Sequence, residues 1–128
     1  ANPTAAYREK FAAVMQGMNT AADGMKIPPQ MVQPMFMAQC LKDDAMAESI
    51  AKYRQQHPQA VIYHVVGNFH SAGHLGMAEK LAWLQPQTRI AVIDTVHYDK
   101  HKDKIHDIAR ANASGGDYLA LETAHEVQ

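Results

Sequence analysis

The sequence predicts an α/β fold in which a parallel sheet is flanked by helices, and three features of its residue pattern indicate this. Up to Gln56, apolar side chains recur every three or four positions, which is the period of an amphipathic helix. From Ala60 onward, short runs rich in β-branched residues replace that period, as is typical of strands buried on both faces. A helical pattern separates two of these runs, and this order favours parallel strands joined by a right-handed crossover.

Two helices are predicted in the N-terminal half of the chain. The first covers residues 4–18 and the second covers residues 30–56, each with its apolar side chains at helical spacing. Gly24 and the Pro28-Pro29 pair lie between them, and these residue types interrupt regular structure. We therefore expect two separate helices joined by an irregular connection.

Three strands are expected in the C-terminal half, at residues 60–66, 89–95 and 118–122. A helix over residues 75–84 joins the first two, and a short helix over residues 105–111 precedes the third. A sheet of two or three strands beside two long helices leaves its edges uncovered. We therefore expect an incomplete domain whose other strands lie elsewhere.

Composition sets the broad class of the protein. The chain has 128 residues, 47% of them hydrophobic, which is enough for the core of one domain. Its formal net charge is −1 and it has no basic run, so nucleic acid is not an expected partner. No apolar run approaches the ~20 residues that span a bilayer. The single cysteine, Cys40, excludes an intramolecular disulfide and is interpreted as a small buried hydrophobe.

The loop "GNFHSAGHLG" at residues 67–76 is the strongest candidate for a functional site. It follows the first predicted strand, and ligands of open parallel sheets bind beyond the carboxyl ends of the strands. Gly67 permits a sharp turn or a close approach of the backbone to a ligand, and Asn68 supplies hydrogen-bonding groups. His70 and His74 lie one helical turn apart, a spacing that metal sites use. The alternative is a structural turn in which His70 caps the helix and His74 is exposed.

The segment "HYDKHKDKIH" follows the second predicted strand and holds the next candidates. His97 and Tyr98 could face the same crevice as the loop, because the carboxyl ends of parallel strands meet at one edge of a sheet. His101 and His106 are weaker candidates, since alternating Lys and Asp is typical of a solvated loop. His64 lies inside the first predicted strand and is interpreted as a core histidine with a polar partner.

Two aspartates in the middle of the second predicted helix are unusual, because Asp has a low helix propensity. Asp43 lies one turn after Gln39, so both side chains could face the same crevice. A buried carboxylate needs a partner, and a histidine of the loop at residues 67–74 is a candidate. The alternative is that Asp43 or the neighbouring Asp44 is exposed to solvent.

The motifs "DDAMAESIA" and "GNFHSAGHLG", separated by a predicted strand, resemble the ChaN-like family of bacterial haem-binding uptake proteins, which belongs to the wider Tiki and TraB superfamily. The similarity covers about residues 30–95. "GNFH" at residues 67–70 looks like the second Gly-x-x-His motif of the superfamily, and nothing in the chain corresponds to the first. The chain also begins at Ala1 without an initiator methionine or a visible signal peptide, so we expect the C-terminal part of a longer protein.

The resemblance implies a domain organisation, a location and partners. Residues 1–29 would be a portion of a helical subdomain with its linker, and residues 30–128 the C-terminal part of the ChaN-like α/β domain. The family implies haem binding at the bacterial cell envelope for iron uptake, in the periplasm or at the outer membrane through a lipid anchor outside this chain. It also implies a homodimer and envelope haem-transport proteins as partners.

A haem site needs an axial ligand such as His, Tyr or Met beside an apolar crevice. His70 is expected to be the axial ligand or the hydrogen-bond partner of a ligating tyrosine. Gln39 with Asp43 or Asp44 would hold the loop in place from the neighbouring helix. Further contacts with the cofactor are expected from Gly67, Asn68, His74, His97 and Tyr98.

Two alternatives to haem binding stay open. A metal-dependent hydrolase such as a Tiki-like peptidase would hold zinc or another divalent metal with His70 and His74, and Asp44 would be a third ligand. A cofactor-free interaction fragment would use the exposed edge of its sheet as the contact between copies. We favour haem, and a binding protein rather than an enzyme, because a hydrolytic metal site needs three fixed ligands.

Overall fold

The computed structural model describes residues 2–22, 24, 26–99 and 104–123. Within that part, helices and strands follow in the order α1 (Ala5–Thr20), α2 (Pro29–Gln56), α3 (Met77–Leu84), β1 (Ile93–Tyr98), α4 (Ile105–Ala111) and β2 (Tyr118–Thr123). β1 and β2 are parallel, so the predicted α/β class is confirmed. None of the helices in the described part is long and apolar enough to cross a membrane. His101, one of the weaker site candidates, lies outside the described residues.

α1 packs on the first part of α2 through one apolar cluster. Thr4 is the N-cap of α1, and its side chain accepts a hydrogen bond from the backbone N–H of Tyr7. The buried members of the cluster are Tyr7, Phe11, Met15, Ile27, Phe36 and Cys40. Phe69, from the loop after residue 67, packs against the same cluster, so the loop is anchored in this core. Cys40 is 5% exposed, which confirms its interpretation as a small buried hydrophobe.

A second apolar cluster joins the later part of α2 to α3. Its buried members are Ala47, Ala51, Met77 and Leu81. The small alanine side chains let the two helices approach closely. Lys80 of α3 is 3% exposed, and its amine lies 2.8 Å from Oδ1 of Asp44 on α2. This ion pair compensates for part of the cost of burying the ammonium group.

Residues 60–66 form neither helix nor strand, so the strand predicted there and its parallel pairing with residues 89–95 are wrong for the described part of the chain. A strand needs a neighbour that supplies backbone N–H and C=O groups. No described residue forms a β-ladder with this segment. His64, interpreted from the sequence as a core histidine, is exposed.

The segment nevertheless keeps part of the alternation of a half-buried strand, which the exposed His64 interrupts. Val61, Tyr63 and Val65 are 97%, 81% and 80% exposed, whereas Ile62 and Val66 are half-buried. Large apolar side chains are rarely left together on the surface of a complete domain. The described part of the chain therefore has the incomplete character expected from its sequence.

The sheet that does form pairs β1 with β2. Their register runs from Ile93 opposite Tyr118 to Tyr98 opposite Thr123. α4 lies between the two strands in the chain and coincides with the short helix predicted there. The strand–helix–strand unit is therefore β1–α4–β2, which lies later in the chain than the predicted unit. The third expected strand is confirmed as β2.

Candidate functional site

His70 is held between the loop and α2. It ends a short 3-10 turn, Asn68–His70, in which the backbone N–H of His70 donates to the carbonyl oxygen of Gly67. Nδ1 of His70 lies 2.7 Å from Oδ1 of Asp43 on α2, and the His70 side chain is 20% exposed. Because a carboxylate oxygen only accepts, we assign the ring proton to Nδ1. The nitrogen whose lone pair can bind a metal is therefore Nε2.

Asp43 is fully buried and receives a second donor from α1. The hydroxyl of Tyr7 donates to Oδ2 of Asp43 at 2.5 Å, and neither residue is exposed. Burial, reinforced by this hydrogen bond, raises the pKa of Tyr7 far above its usual value of 10.0, so the hydroxyl keeps its proton. Each oxygen of Asp43 thus has a donor, as a buried carboxylate requires.

Gln39 lies one turn before Asp43 on α2 and contacts the same groups. Its amide nitrogen is 2.9 Å from Nδ1 and 3.2 Å from Nε2 of His70, and it donates to the Tyr7 hydroxyl at 3.4 Å. With the ring proton on Nδ1, the lone pair that this amide can reach is on Nε2. Tyr7, Gln39, Asp43 and His70 therefore form one hydrogen-bonded group, which we call the His70 network.

Lys10 fixes the backbone of the loop from α1. Its ammonium group donates to the carbonyl oxygens of Phe69 at 2.9 Å and Ala72 at 2.8 Å. It also lies 4.9 Å from the centre of the Phe69 ring. Burial lowers the pKa of Lys10, and these contacts compensate for part of its lost hydration. The loop is thus tied to α1 on both sides of His70.

Two glycines of the loop are required by the backbone, and neither is Gly67. Gly67 has φ −59°, which any residue adopts, and a Cβ there would meet nothing within 4 Å. Gly73 and Gly76 have φ of +73° and +60°, a region that favours glycine. A Cβ on Gly76 would lie 2.7 Å from the carbonyl oxygen of His70 and 3.1 Å from the Tyr7 ring. The backbone therefore requires glycine at positions 73 and 76 and not at position 67, and a close approach of the Gly67 backbone to a ligand stays a prediction.

A groove of about 270 Å³ opens between α1, α2 and the loop. Its walls are mainly apolar, and the residues that line it are Phe11, Val14, Met15, Met35, Ala38, Gln39, Lys42 and Phe69. Gln39 belongs to both the wall and the His70 network, so the groove lies next to that network. Lys42 contributes a cationic side chain to the wall.

His74 contacts the C-terminal half of the chain instead of the His70 network. Its Nε2 lies 2.9 Å from Oδ2 of Asp117, and the same oxygen accepts the backbone N–H of Val92 at 2.7 Å. The backbone N–H of Gly73 donates to the carbonyl oxygen of Gly115 at 2.7 Å. These contacts join the loop to the β1–α4–β2 unit.

The Asp117 contact leads us to expect an acid-sensitive contribution to stability. The backbone N–H of Val92, assisted by His74, lowers the pKa of Asp117 below its usual value of 3.8. A carboxyl group whose pKa is lower in the folded than in the unfolded state stabilises the fold at pH values above its unfolded-state pKa. This contribution is lost as the pH falls through its folded-state pKa. As the pH is lowered below 3.8, we therefore expect the free energy of unfolding of Asp117→Asn to decrease less steeply than that of the wild type.

Urea titrations at a series of pH values measure this difference. Glu48→Gln is a matched control, because it neutralises an exposed carboxylate in the middle of α2. It should follow the wild-type acid profile. Identical profiles for Asp117→Asn and the wild type would contradict a stabilising contact at Asp117.

The family described as haem-binding uptake, Tiki superfamily, ChaN, matches residues 1–81. The match covers more than half of the 128 residues. The chain belongs to this ChaN family. Neither the curated proteins nor the solved structures compared with the chain gave a match. The ChaN match begins before residues 30–95, which carry the resemblance in the sequence, and it includes all of α1 and the whole His70 network.

Only some of the site residues expected in this ChaN chain come together. Gln39 and Asp43 contact His70, as the preceding distances describe. Asn68 is exposed, and its backbone carbonyl oxygen accepts a hydrogen bond from the backbone N–H of Ser71 at 3.1 Å.

The other expected site residues lie outside the His70 network. His97 is exposed, and its Nε2 lies 3.6 Å from the carboxylate of Glu122 on β2. Tyr98 is half-buried at the end of β1, and Asp44 pairs with Lys80 of α3.

The two histidines with metal-site spacing are held by different carboxylates. His70 is bound to Asp43, and His74 is bound to Asp117. Among the described residues of this ChaN chain, no three His, Cys, Asp or Glu side chains are grouped so as to hold a metal ion. The geometry around His70 is therefore that of a single histidine oriented by a buried carboxylate.

Three residues at or near the site were missed by sequence reasoning. Tyr7 is one of the apolar residues at helical spacing in the first predicted helix, and it was not among the site candidates. A buried aspartate needs a donor, so a tyrosine on a neighbouring amphipathic helix was the available signal. Nothing in the sequence indicates Lys10 or Asp117, because both act on backbone groups that become close only in the folded chain.

Proposed function

We propose that the protein binds haem in the groove beside His70 and that Nε2 of His70 ligates the iron. The observation that carries this proposal is the hydrogen bond from Nδ1 of His70 to the buried carboxylate of Asp43. A carboxylate on the other ring nitrogen fixes the tautomer and orientation of a metal-binding histidine and increases its basicity. Bound haem supplies an iron that accepts such an axial ligand.

The groove fits the chemistry of a porphyrin. Phe11 and Phe69 offer aromatic surface, and Met15 and Met35 offer flexible thioethers that adapt to an irregular apolar ligand. Lys42 is the cationic residue of the wall and would pair with a propionate group. These residues supply the apolar surface and the charge that a haem needs beside its axial ligand.

Histidine ligation has more support than tyrosine ligation. The Tyr7 hydroxyl is buried, donates to Asp43 and has a raised pKa, so forming a tyrosinate there is unfavourable. Tyr98, the other tyrosine considered, lies at the end of β1, outside the His70 network. His70 is therefore proposed as the ligand and not as the hydrogen-bond partner of a ligating tyrosine.

The proposal extends to a location and an assembly. The family description names haem-binding uptake, and we infer a role at the bacterial cell envelope, in the periplasm or at the outer membrane through a lipid anchor outside this chain. We also infer a homodimer, with envelope haem-transport proteins as further partners, because large apolar side chains such as Val61 and Tyr63 lie on the surface. Cell fractionation of the full-length protein and sedimentation with and without haem measure these two points.

Titration with ferric haem tests the binding proposal. We expect the wild type to bind haem with a sharp Soret band and the visible spectrum of a histidine-ligated iron, unlike the tyrosinate type. Ala38→Trp places an indole in the groove from an exposed position on α2. Because the indole occupies the space proposed for the porphyrin, it should weaken haem binding by at least ~10-fold, or ~1.4 kcal/mol.

Ala45→Trp is the matched control, because Ala45 is also exposed on α2 but is not among the residues that line the groove. Its haem affinity should equal that of the wild type. A wild-type chain that gives no Soret band with haem would contradict the proposed function. Equal loss in Ala38→Trp and Ala45→Trp would contradict the proposed location of the haem.

A further inference from the structure

We propose that Tyr7 is a positioning residue for His70, and that its hydroxyl, acting through Asp43, keeps the lone pair of the imidazole on Nε2. The inference deepens the proposed haem site and rests on it for the consequence on affinity, although the tautomer itself is a property of the haem-free chain. Tyr7 is on α1 and His70 is in the loop, so the carboxylate of Asp43 on α2 links three elements.

The geometry assigns one donor to each oxygen of Asp43. Oδ2 accepts the Tyr7 hydroxyl at 2.5 Å, and Oδ1 accepts Nδ1–H of His70 at 2.7 Å. The terminal torsion of an aspartate is soft, so a carboxylate with one partner can turn between several orientations. With a donor on each side, the plane of the Asp43 carboxylate is fixed, and Oδ1 stays directed at Nδ1.

Gln39 is the competitor that the Tyr7 hydroxyl restrains. Its amide nitrogen contacts both ring nitrogens of His70 and donates to the Tyr7 hydroxyl at 3.4 Å. Without that hydroxyl, the amide loses an acceptor and Oδ2 of Asp43 loses its donor. The two groups can then pair with each other, which weakens the preference of His70 for a proton on Nδ1.

The ring of Tyr7 has a separate packing role. Its centre lies 5.8 Å from that of Phe36 and 5.7 Å from that of Phe69, and Gly76 packs against it. Tyr7→Phe keeps the ring and these contacts and removes only the hydroxyl. The variant therefore separates positioning of His70 from packing of the core.

The test uses the haem-free chain labelled with ¹⁵N-histidine. Long-range ¹H–¹⁵N correlation spectra, with the signals of His70 assigned from a His70→Gln variant, report which ring nitrogen carries the proton. We expect a single Nδ1–H tautomer in the wild type and a mixture of tautomers in Tyr7→Phe. Tyr63→Phe is the control, because it removes the hydroxyl of a tyrosine that is 81% exposed, and it should keep the wild-type spectrum.

Haem titration of the same variants gives the consequence for binding. Tyr7→Phe should bind haem about 10-fold more weakly than the wild type, at the lower end of the range for residues that orient a metal ligand. If Tyr7→Phe keeps both the wild-type tautomer of His70 and the wild-type haem affinity, the positioning role is overturned. If none of the chains binds haem, the proposed function fails, and the tautomer of the haem-free chains still decides the role of Tyr7.

A second measurement avoids any loss of folding in Tyr7→Phe. Wild-type chain grown with 3-fluorotyrosine carries a more acidic phenol at Tyr7, which is a stronger donor to Asp43. The ring ¹⁵N signals of His70 should move relative to those of the unlabelled chain if the hydroxyl acts on the imidazole through the carboxylate. Unchanged signals overturn the inference.

Discussion

Replacing His70 with alanine should lower the affinity for haem by at least ~100-fold, or ~2.8 kcal/mol. The variant removes Nε2, the nitrogen proposed to ligate the iron, while Asp43 and Tyr7 stay in place to fill the core. A porphyrin left in the groove would keep its apolar contacts and lose its bond to the protein through the iron. Absorbance titration with ferric haem measures both the affinity and the loss of the histidine-type spectrum.

Two controls make this result specific. His64→Ala removes an exposed histidine from the segment just before the loop, and it should bind haem as the wild type does. Free imidazole added to His70→Ala should restore the histidine-type spectrum by occupying the vacated position. A His70→Ala chain with the wild-type spectrum and affinity would show that another group ligates the iron.

The helices could be predicted from the sequence because their signals are local. Predicted bounds of 4–18 and 30–56 correspond to helices at Ala5–Thr20 and Pro29–Gln56. Apolar spacing of three and four residues repeats within each helix, and caps and breakers lie within a few residues of its ends. No knowledge of the remaining fold is needed to interpret such a pattern.

The strand predicted at residues 60–66 depended on a partner that sequence composition does not reveal. β-branched residues indicate a segment that fits a pleated sheet, and only Ile62 and Val66 are half-buried among the exposed residues from 61 to 66. A ladder also needs a second strand, and the described residues provide none for this segment. β1 and β2 form because α4 brings one alongside the other.

The candidate site was partly predictable because some of its signals are local in the sequence. Gln39 and Asp43 lie one turn apart on α2, and the need to pair a buried carboxylate pointed to a histidine of the loop. His70 and His74 were also spaced by one turn, but Gly73 adopts φ +73° between them, so helical spacing does not apply. The side chain of His74 therefore contacts Asp117 and not the His70 network. Docking of α1 on the loop involves distant parts of the chain, and no spacing rule predicts it.

Asp43 also has the largest expected effect on stability. Replacing it with alanine leaves the Tyr7 hydroxyl and Nδ1–H of His70 without their acceptor in a buried site and opens a small cavity. Unpaired buried donors cost ~1–3 kcal/mol each, and removing one partner from a buried charged pair costs ~3–5 kcal/mol. We expect Asp43→Ala to lower the free energy of unfolding in urea by ~3 kcal/mol.

Two further variants separate the network from the loss of a carboxylate. Asp43→Asn keeps the volume of the side chain and one acceptor oxygen, so its loss should be ~1 kcal/mol, the net contribution of one hydrogen bond. Glu48→Ala removes an exposed carboxylate from the same helix and should change stability by less than ~0.5 kcal/mol. If Asp43→Ala were as stable as Glu48→Ala, the bonds from Tyr7 and His70 to Asp43 would not be what fixes α1 and the loop on α2. The orientation of His70, on which the haem proposal depends, would then need another cause.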